Sequence, residues 1–467
     1  MFLRGTGQIA DSLLVLPPYP HQMATLTANP GDRLSNNIAE HFDESARSTV
    51  SLDETVSGWS LGLVLVGICL TLPSLYTGAN AAQNLGVLGT AKAVGLASAV
   101  LACMSIPAAI VGAQSRLSSY MIIKFVFGLK GANYVNALLA LTLLGWFAVT
   151  AGFFGQTLSI AVAEIFGSSP PVWVLTLVSS LLILLTTLFG FKAMDRLATF
   201  AVPLLVLFLT YVAYLSVDSV SVRELVMRAG DNPDYFSTAV STVIGTLIVG
   251  VVLMPDLSRY ARSTRDCYTA SIVGNGMGNF FSMVIAVFPA MVTGLLDPMA
   301  FMIAMGLLGS AFFILVFATW TTNAINLYST TLATAVIAPR APEWKLMVGC
   351  CVIGTGLAMA GIADYFISFL EWLGVIVPPV AGVYLTDYFV LQRKDFNLQL
   401  LTKVEDYATP AIVAWLTATC LSAVAFMIDF SVTGIASLDA LLLTIPLYLA
   451  CDKLWPIRYS RTEALAS

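Results

Sequence analysis

Long runs of apolar residues fill most of the chain after residue 57, and they constrain the fold more than any other feature of the sequence. A transmembrane helix needs about 20 mainly apolar residues to cross the hydrocarbon layer of a bilayer, which is roughly 30 Å thick. By this measure the sequence predicts twelve transmembrane helices, which we number spans 1 to 12. They cover residues 58–80, 88–112, 132–163, 172–190, 196–217, 237–255, 270–295, 302–337, 346–363, 365–391, 408–428 and 433–451.

The composition agrees with an all-α integral membrane protein. Of the 467 residues 58% are hydrophobic and only 10% are charged, whereas soluble proteins carry about 25% charged residues. Both histidines, His21 and His41, precede span 1, so the spans hold no histidine for acid–base or metal chemistry. The seven cysteines form no CxxC pair and predict free thiols. We therefore expect no enzyme, no cofactor and, with a net charge of −5, no nucleic-acid partner.

The distribution of basic residues predicts the orientation. If the N-terminus is cytoplasmic, all but three of the 22 Lys and Arg residues fall in cytoplasmic loops and tails; the exceptions are Lys92, Arg223 and Arg228. Basic residues are retained on the cytoplasmic side of membranes. The pattern predicts twelve spans in the plasma (cell inner) membrane with both termini in the cytoplasm.

Three regions follow from this reading. Residues 1–56 carry several prolines and a polar run, and they predict a disordered cytoplasmic tail with no signal peptide. Residues 57–455 form the predicted transmembrane domain, and residues 456–467 a short cytoplasmic tail.

Glycine and proline interrupt two of the predicted helices. One interruption runs from Gly67 to Ser74 in span 1, and the other covers Gly245 to Gly250, followed by Pro255, in span 6. Helix breaks are tolerated in a membrane where protein or water surrounds them. Because the two spans lie five apart, they enter the membrane from opposite sides, as in an inverted repeat whose binding site lies at the breaks. The repeats would cover about 58–217 and 237–391, with extra helices at about 408–451; ordinary kinks are the alternative.

Span 10 contains a third interruption, at Pro378 and Pro379. Each proline removes a backbone donor and disturbs the preceding turn. Both a moving gate and a static kink are compatible with this pattern.

Four segments in register resemble the nucleobase–cation symport family, which includes cytosine, hydantoin and purine-cytosine permeases. They are GWFAVTAGFFGQ in span 3, GTLIVGVVLMPDLSRYAR in span 6, ATWTTNAINLYS in span 8 and PPVAGVYLTDYF in span 10. The resemblance extends from about Gly58 to Leu449. It implies a LeuT-like fold with ten core helices and two extra helices, and uptake coupled to Na⁺ or H⁺.

The resemblance also implies a cation site between spans 1 and 8. Na⁺ prefers hard oxygen ligands, which the hydroxyls of Thr321 and Thr322 and the carbonyl of Ala318 can supply. Gly67 and Leu70 lie at the break of span 1, where carbonyls are free, and they match the relatives' ion site. The alternative is that the threonine hydroxyls bond their own helix.

A flat heterocycle needs an aromatic face and a few hydrogen bonds in an apolar pocket. Trp146 in span 3 matches the family's stacking tryptophan, and Asn323 in span 8 matches a substrate-contacting asparagine. An interfacial anchor is the alternative for Trp146. Thr71, Thr150 and Thr246 are further hydrogen-bonding candidates, with bonds to their own helices as the alternative.

Three positions depart from the relatives. Leu143 stands where cytosine permeases carry a glutamine, and Leu247 where they carry a second aromatic residue. Thr150 stands where hydantoin permeases carry a glutamine. The pocket is therefore expected to be less polar and to suit a bulkier or more apolar heterocycle. Glu371 in span 10 is a fourth departure, which could carry a proton, meet a substrate amine or reach the interface.

These features predict a secondary transporter that imports a nucleobase or related N-heterocycle with Na⁺ or H⁺ by alternating access. The expected partners are the substrate, the cation and the bilayer, while the oligomeric state is not predicted. The alternative is a carrier of the same fold for an amino acid or another small amine. Such a carrier would bind a carboxylate at helix N-termini and would not need Trp146. A channel is disfavoured, because no repeated ring of charges or carbonyls is present.

Overall fold

The computed structural model describes residues 49–168, 170–220, 222–338, 340–393, 396 and 398–456. Most of the predicted N-terminal tail and nearly all of the C-terminal tail lie outside the described residues. Within them every predicted span is helical, and the only β-structure is an isolated bridge between Val56 and Ala261. The prediction of an all-helical protein is confirmed.

The helices have the following bounds. The α-helices are Gly58–Cys69, Leu72–Ser115, Ser119–Phe127, Ala132–Phe166, Val172–Ser219, Val222–Met227, Phe236–Val252, Met254–Ser258, Thr264–Ser271, Asn279–Thr293, Pro298–Ala304, Leu308–Ile337, Glu343–Met359, Phe366–Ile376, Pro378–Leu385, Thr409–Met427 and Ala436–Leu454. Two π-helices, Ile272–Gly278 and Thr386–Val390, continue spans 7 and 10. Short 3₁₀ helices occupy Leu52–Glu54, Pro233–Tyr235, Ile362–Tyr365 and Leu398–Lys403.

Seven helices in the described part of the chain are long and apolar enough to cross a membrane by themselves, and three shorter apolar helices accompany them. The predicted number of twelve is therefore not confirmed exactly. Part of the difference arises because span 1 is interrupted and its second half continues into span 2, where the backbone leaves the helical conformation at Gly86. Spans 4 and 5 also differ from the prediction, because Val172–Ser219 is one helix and residues 191–195 do not form a loop.

The predicted interruption of span 1 is confirmed. The first helix ends at Cys69, and the backbone is non-helical at Leu70 and extended at Thr71 before the next helix begins at Leu72. Thr71 caps this second helix, since its hydroxyl oxygen accepts the backbone N–H of Ser74. Such a cap supplies a partner for one of the amides that a helix start leaves open.

The interruption of span 6 lies later than predicted. Gly245 and Gly250 are both helical, and the helix ends at Val252, with the break at Leu253 before Pro255. The reason is that Gly245 serves close packing: a Cβ atom there would lie 2.2 Å from the carbonyl oxygen of Leu370. The prediction of unwinding between Gly245 and Gly250 is therefore wrong.

Span 10 breaks where the sequence predicts. Its first helix ends at Ile376, Val377 separates the two parts, and the second helix begins at Pro378. The first part packs mainly on span 6 and also contacts spans 11 and 12, whereas the second part packs mainly on spans 11 and 12. Elsewhere, span 7 packs along helix Leu72–Ser115 and span 8 packs along span 3.

A buried ionic network fixes the second part of span 10 to span 12. Arg393 bridges Asp387 at 3.2 Å and Asp452 at 2.9 Å. The hydroxyl of Tyr448 donates to the Asp387 carboxylate at 2.9 Å. Asp387 is fully buried, so its charge depends on these partners for stabilisation.

We expect Asp387→Ala to lower the free energy of unfolding by about 3–5 kcal/mol, because it removes a buried carboxylate that pairs with Arg393 and accepts the hydroxyl of Tyr448. The matched control is Lys130→Ala, which removes a 2.6 Å ion pair with Asp406 between side chains that are 60% and 51% exposed. An exposed pair contributes up to about 1 kcal/mol. The measurement is thermal unfolding of the purified protein in detergent, and equal losses in the two variants would contradict the expectation.

Candidate functional site

The two ends of the helical domain are each held together by contacts between distant segments. At the end that we call the Gly58 face, Gly58 N–H donates to the Asp266 carboxylate at 2.7 Å. At the opposite end, which we call the Tyr235 face, the Tyr235 hydroxyl donates to the Asn80 side-chain oxygen at 2.7 Å. The candidate site residues of spans 1, 3, 6 and 8 lie in the helical segments between these faces.

Trp146 lies in the middle of span 3 and is half-buried. Its ring meets Phe369 at a centroid distance of 5.6 Å and Phe366 at 6.2 Å, with interplanar angles of 79° and 72°. Both contacts are edge-to-face, so the described aromatic rings pack around Trp146 without stacking on it. A half-buried indole bounded by aromatic edges can offer its face to a flat ligand.

One helical turn after Trp146, Thr150 connects span 3 to span 8. Its hydroxyl lies 2.6 Å from the side-chain oxygen of Asn323 and 2.7 Å from the backbone oxygen of Trp146. The amide nitrogen of Asn326 donates to the same hydroxyl at 3.3 Å. Asn323 is fully buried, and its amide nitrogen has no hydrogen-bond partner in the described part of the chain.

The remaining substrate-site candidates have local roles. The Thr246 hydroxyl donates to the backbone oxygen of Val243 at 2.7 Å, and Thr71 shares a 3.1 Å hydrogen bond with Ser74. Leu143 and Leu247 belong to the main apolar core, against which Trp146 also packs. The structure thus brings Trp146, Thr150 and Asn323 together directly, whereas Thr71 and Thr246 bond within their own helices.

The cation-site candidates lie on span 1 and span 8. Leu70, at the break of span 1, belongs to an apolar cluster against which Ala318 of span 8 also packs. The Thr321 hydroxyl lies 3.0 Å from the backbone oxygens of both Ala318 and Phe317 and bonds within its own helix. Thr322 follows in the same helix, and Gly67 accepts the N–H of Leu70 at the end of the first helix of span 1. The oxygen donors that a hard cation needs are therefore present on both elements.

An aromatic contact that we call the aromatic cluster joins spans 1, 3 and 10. It consists of Tyr76, Phe153 and Phe366, whose ring centroids lie 5.1–6.0 Å apart. Tyr76 precedes Asn80 by one turn, so the cluster lies between Trp146 and the Tyr235 face. This cluster was not predicted from the sequence. One available signal was that Phe366 and Phe369 lie on one face of the same helix.

Glu371 lies on a different side of span 10. At about 100° per residue, it is rotated by roughly 140–160° from Phe366 and Phe369, the two rings that contact Trp146. It is half-buried, and this rotation turns its side chain away from the rings that contact Trp146.

A cavity of about 240 Å³ lies apart from Trp146, between spans 3 and 4 and the connection of spans 9 and 10. Gln156, Trp173, Thr176 and Asp364 contribute side chains to its wall. Among the described residues, no group of three or more His, Cys, Asp or Glu side chains is arranged to hold a metal ion.

Interrupted membrane helices are typical of secondary transporters, and here they accompany a buried polar pair and a tryptophan bounded by aromatic rings. Comparison with known proteins places the chain more closely. The model of a family described as permeases for cytosine/purines, uracil, thiamine and allantoin matches residues 53–443. The chain belongs to this family, as the resemblance predicted, and it is a permease rather than an enzyme.

Two known permeases are similar in sequence to this chain. The cytosine permease of Escherichia coli K12 is 29% identical over 336 residues, which cover 72% of this chain and 78% of the relative. The hydantoin permease of Microbacterium maritypicum is 27% identical over 371 residues, which cover 72% and 74%.

Solved structures support the fold. The inward-facing conformation of Mhp1 matches with a TM-score of 0.77 at 18% identity and covers 96% of this chain and 99% of that chain. A closed conformation of Mhp1, a nucleobase-cation-symport-1 family transporter with bromovinylhydantoin bound, matches at 0.71 and 19% identity, over 90% and 98%. A Na⁺-coupled sialic acid symporter matches at 0.61 and 13% identity, over 97% and 98%.

The close contact between Gly245 of span 6 and Leu370 of span 10 can be tested by substitution. Gly245→Ala would force a Cβ atom against the Leu370 backbone, so we expect a loss of about 1–3 kcal/mol in stability and slower transport. The control is Gly250→Ala on the same helix, where a Cβ atom would meet no atom within 4 Å. Because alanine favours helices over glycine by roughly 0.5–1 kcal/mol, this control should be neutral or stabilising. Thermal unfolding and initial uptake rates measure both; a neutral Gly245→Ala would show that spans 6 and 10 are not in tight contact.

Proposed function

We propose that this permease imports a nucleobase or a related small N-heterocycle together with Na⁺. The observation that carries the proposal is the buried polar pair of Thr150 and Asn323 one turn from Trp146. An aromatic face with one directed amide in an apolar environment suits a flat heterocycle that carries polar edge groups. A carrier of amino acids would instead have to neutralise a carboxylate, for which an indole face offers nothing.

The relatives support this substrate class. Two of them are named as permeases for cytosine and for hydantoin, and Mhp1 is described with bromovinylhydantoin bound. All three named ligands are small planar heterocycles with ring nitrogens. The family description extends the class to purines, uracil, thiamine and allantoin.

The apolar residues of the pocket narrow the proposal. Leu143 and Leu247 replace a glutamine and an aromatic residue expected from cytosine permeases, and both pack in the main apolar core, as Trp146 does. The substrate site therefore offers fewer hydrogen bonds than that of cytosine permeases and has one aromatic wall less. We propose that the substrate is bulkier or more apolar than cytosine, because a leucine wall stabilises apolar substituents and not polar ones.

Na⁺ is the coupling ion that we favour over H⁺. Gly67, Leu70, Ala318, Thr321 and Thr322 would supply carbonyl and hydroxyl oxygens, which suit a hard cation and do not titrate. A solved structure with the same fold is described as a Na⁺-coupled symporter. The downhill entry of the cation would drive the uphill entry of the substrate.

The mechanism that we propose is alternating access within two inverted repeats. Spans 1, 2, 6 and 7 would move against spans 3, 4, 8 and 9, with the substrate and the cation bound between them. The aromatic cluster would close the pathway toward the Tyr235 face, since it joins spans 1, 3 and 10 across that side. We propose that the Gly58 face is cytoplasmic, because Arg116, Lys124 and Arg259 lie near it, and that the protein resides in the plasma membrane.

Uptake into proteoliposomes tests the substrate class. With an inward Na⁺ gradient, we expect uptake of at least one of cytosine, uracil, adenine, hypoxanthine, hydroxymethylpyrimidine and allantoin. Trp146→Ala should reduce this uptake by about tenfold or more, because base–aromatic stacking contributes roughly 1–3 kcal/mol. The control is Trp59→Ala, a tryptophan that is 58% exposed at the start of span 1. No uptake of any compound under a Na⁺ or an H⁺ gradient would favour the amine-carrier alternative.

A substitution in span 8 tests the coupling ion. Thr321→Ala removes one proposed oxygen ligand, so we expect the Na⁺ concentration for half-maximal uptake to rise by about tenfold, which corresponds to about 1.4 kcal/mol. Thr319→Ala is the matched control, because its hydroxyl is also buried and donates to its own helix at Leu315. Uptake that is independent of Na⁺ in the unmodified protein, or equal shifts in the two variants, would refute the assignment.

A further inference from the structure

The hydrogen bond between Thr150 and Asn323 orients the Asn323 amide, and this orientation bears on substrate choice. A threonine hydroxyl carries one proton and can donate a single hydrogen bond, whereas its oxygen can accept two. Here two oxygens compete for that proton: the Asn323 side-chain oxygen at 2.6 Å and the Trp146 backbone oxygen at 2.7 Å. The amide nitrogen of Asn326 already donates to the hydroxyl oxygen at 3.3 Å.

The atom of Asn323 that faces the Thr150 hydroxyl is its side-chain oxygen, at 2.6 Å. This distance lies within the range of an O–H···O hydrogen bond, about 2.5–3.0 Å. The amide nitrogen then points to the other side.

That nitrogen is an unused donor in a buried place. Asn323 is fully buried, and its Nδ2 has no partner among the described residues. The Thr150 hydroxyl contacts both the side chain of Asn323 and the backbone of Trp146, so the two substrate-site candidates are linked through a single residue. A buried donor without a partner is unfavourable, and an acceptor supplied by a ligand removes that penalty.

We propose that Thr150 is a positioning residue that presents Asn323 to the substrate as a hydrogen-bond donor, so that the site selects heterocycles with an exocyclic oxygen over those with an amino group. This inference rests on the proposed function and deepens it. An oxygen at the contact position accepts from Nδ2, whereas an amino group there would set two donors against each other. Without the hydroxyl, the amide can rotate and offer either its nitrogen or its oxygen.

The position explains why a small residue can determine specificity. Thr150 stands where hydantoin permeases are expected to carry a longer glutamine, which could reach a ligand directly. Thr150 is almost completely buried, and its hydroxyl contacts Trp146, Asn323 and Asn326 inside the protein. Its effect on the substrate therefore passes through the orientation of Asn323.

Two matched pairs of bases test the proposal in proteoliposomes under a Na⁺ gradient. Uracil and cytosine differ at the 4-oxo or 4-amino edge, and hypoxanthine and adenine differ at the 6-oxo or 6-amino edge. For the pair that fits the pocket, we expect uptake efficiency to favour the oxo compound by about tenfold or more. In Thr150→Val, which keeps the volume but lacks the hydroxyl, this ratio should fall by about tenfold toward one. Thr150→Ser keeps the hydroxyl and should retain the ratio.

A binding measurement covers a variant that folds but does not transport. Thermal stabilisation of the detergent-purified protein by uracil, 2-thiouracil and 4-thiouracil reports the acceptor directly, because sulfur is a weak acceptor while the ring and its N–H groups stay the same. We expect one thio compound to bind about tenfold more weakly than uracil to the unmodified protein and to Thr150→Ser, and this difference to disappear in Thr150→Val.

The outcomes distinguish the proposed role of Thr150 from the proposed transport function. Uptake of bases without an oxo preference, or a preference that is the same in Thr150→Val, overturns the role of Thr150 while the proposed transport stands. A preference for the amino compounds would show that Asn323 presents its oxygen instead. Failure of the unmodified protein to take up any heterocycle overturns the proposed function, and this inference with it.

Discussion

The constraint on which the rest of the structure depends is that the bilayer offers no hydrogen bonds to the backbone. Continuous helices satisfy this demand by themselves. Each place where a span is interrupted therefore needs another partner for the backbone groups that lose their helical hydrogen bonds. At the break of span 1, Thr71 supplies such a partner through its cap on Ser74. The break at Val377 in span 10 begins the next helix with proline, which lacks the amide that would otherwise need a partner. Interruptions therefore appear only where side chains and packing can support them, and the candidate cation site uses one of them.

Much of the fold could be predicted because its main determinant is local. Hydropathy and length located the long apolar helices but not short ones such as Ser119–Phe127, and the prolines of spans 1 and 10 marked real breaks. Glycine was less informative, since it permits both a break and a close approach. Gly245 serves close approach to Leu370, a residue far away in the sequence, and no local pattern could distinguish the two uses. The separation of span 4 from span 5 failed for a related reason: residues 191–195 contain no helix-breaking residue.

The candidate site was predictable residue by residue only where family resemblance supplied it. Trp146, Thr150 and Asn323 were named from the sequence, but their connection was not, because the hydrogen bond from Thr150 to Asn323 spans 173 positions. The same holds for Phe366 and Phe369, which reach Trp146 from span 10. Conversely, Thr71 and Thr246 looked like ligand groups and use their hydroxyls within their own helices. A polar residue in an apolar span therefore identifies a site only when its bonding partners are known.

The ionic network around Asp387 has a mechanical consequence for span 10. Arg393 ties the second half of this span to span 12, while Val377 separates that half from the first, which carries the rings against Trp146. Because the second half is held and the break lies between the two halves, only the first half is free to move. Spans 11 and 12 would then stay fixed, and opening of the pathway would leave the second half of span 10 in place. Displacement of the first half would break its ring contacts with Trp146, its packing against Gly245 of span 6 and the contact of Trp372 with Phe426 of span 11.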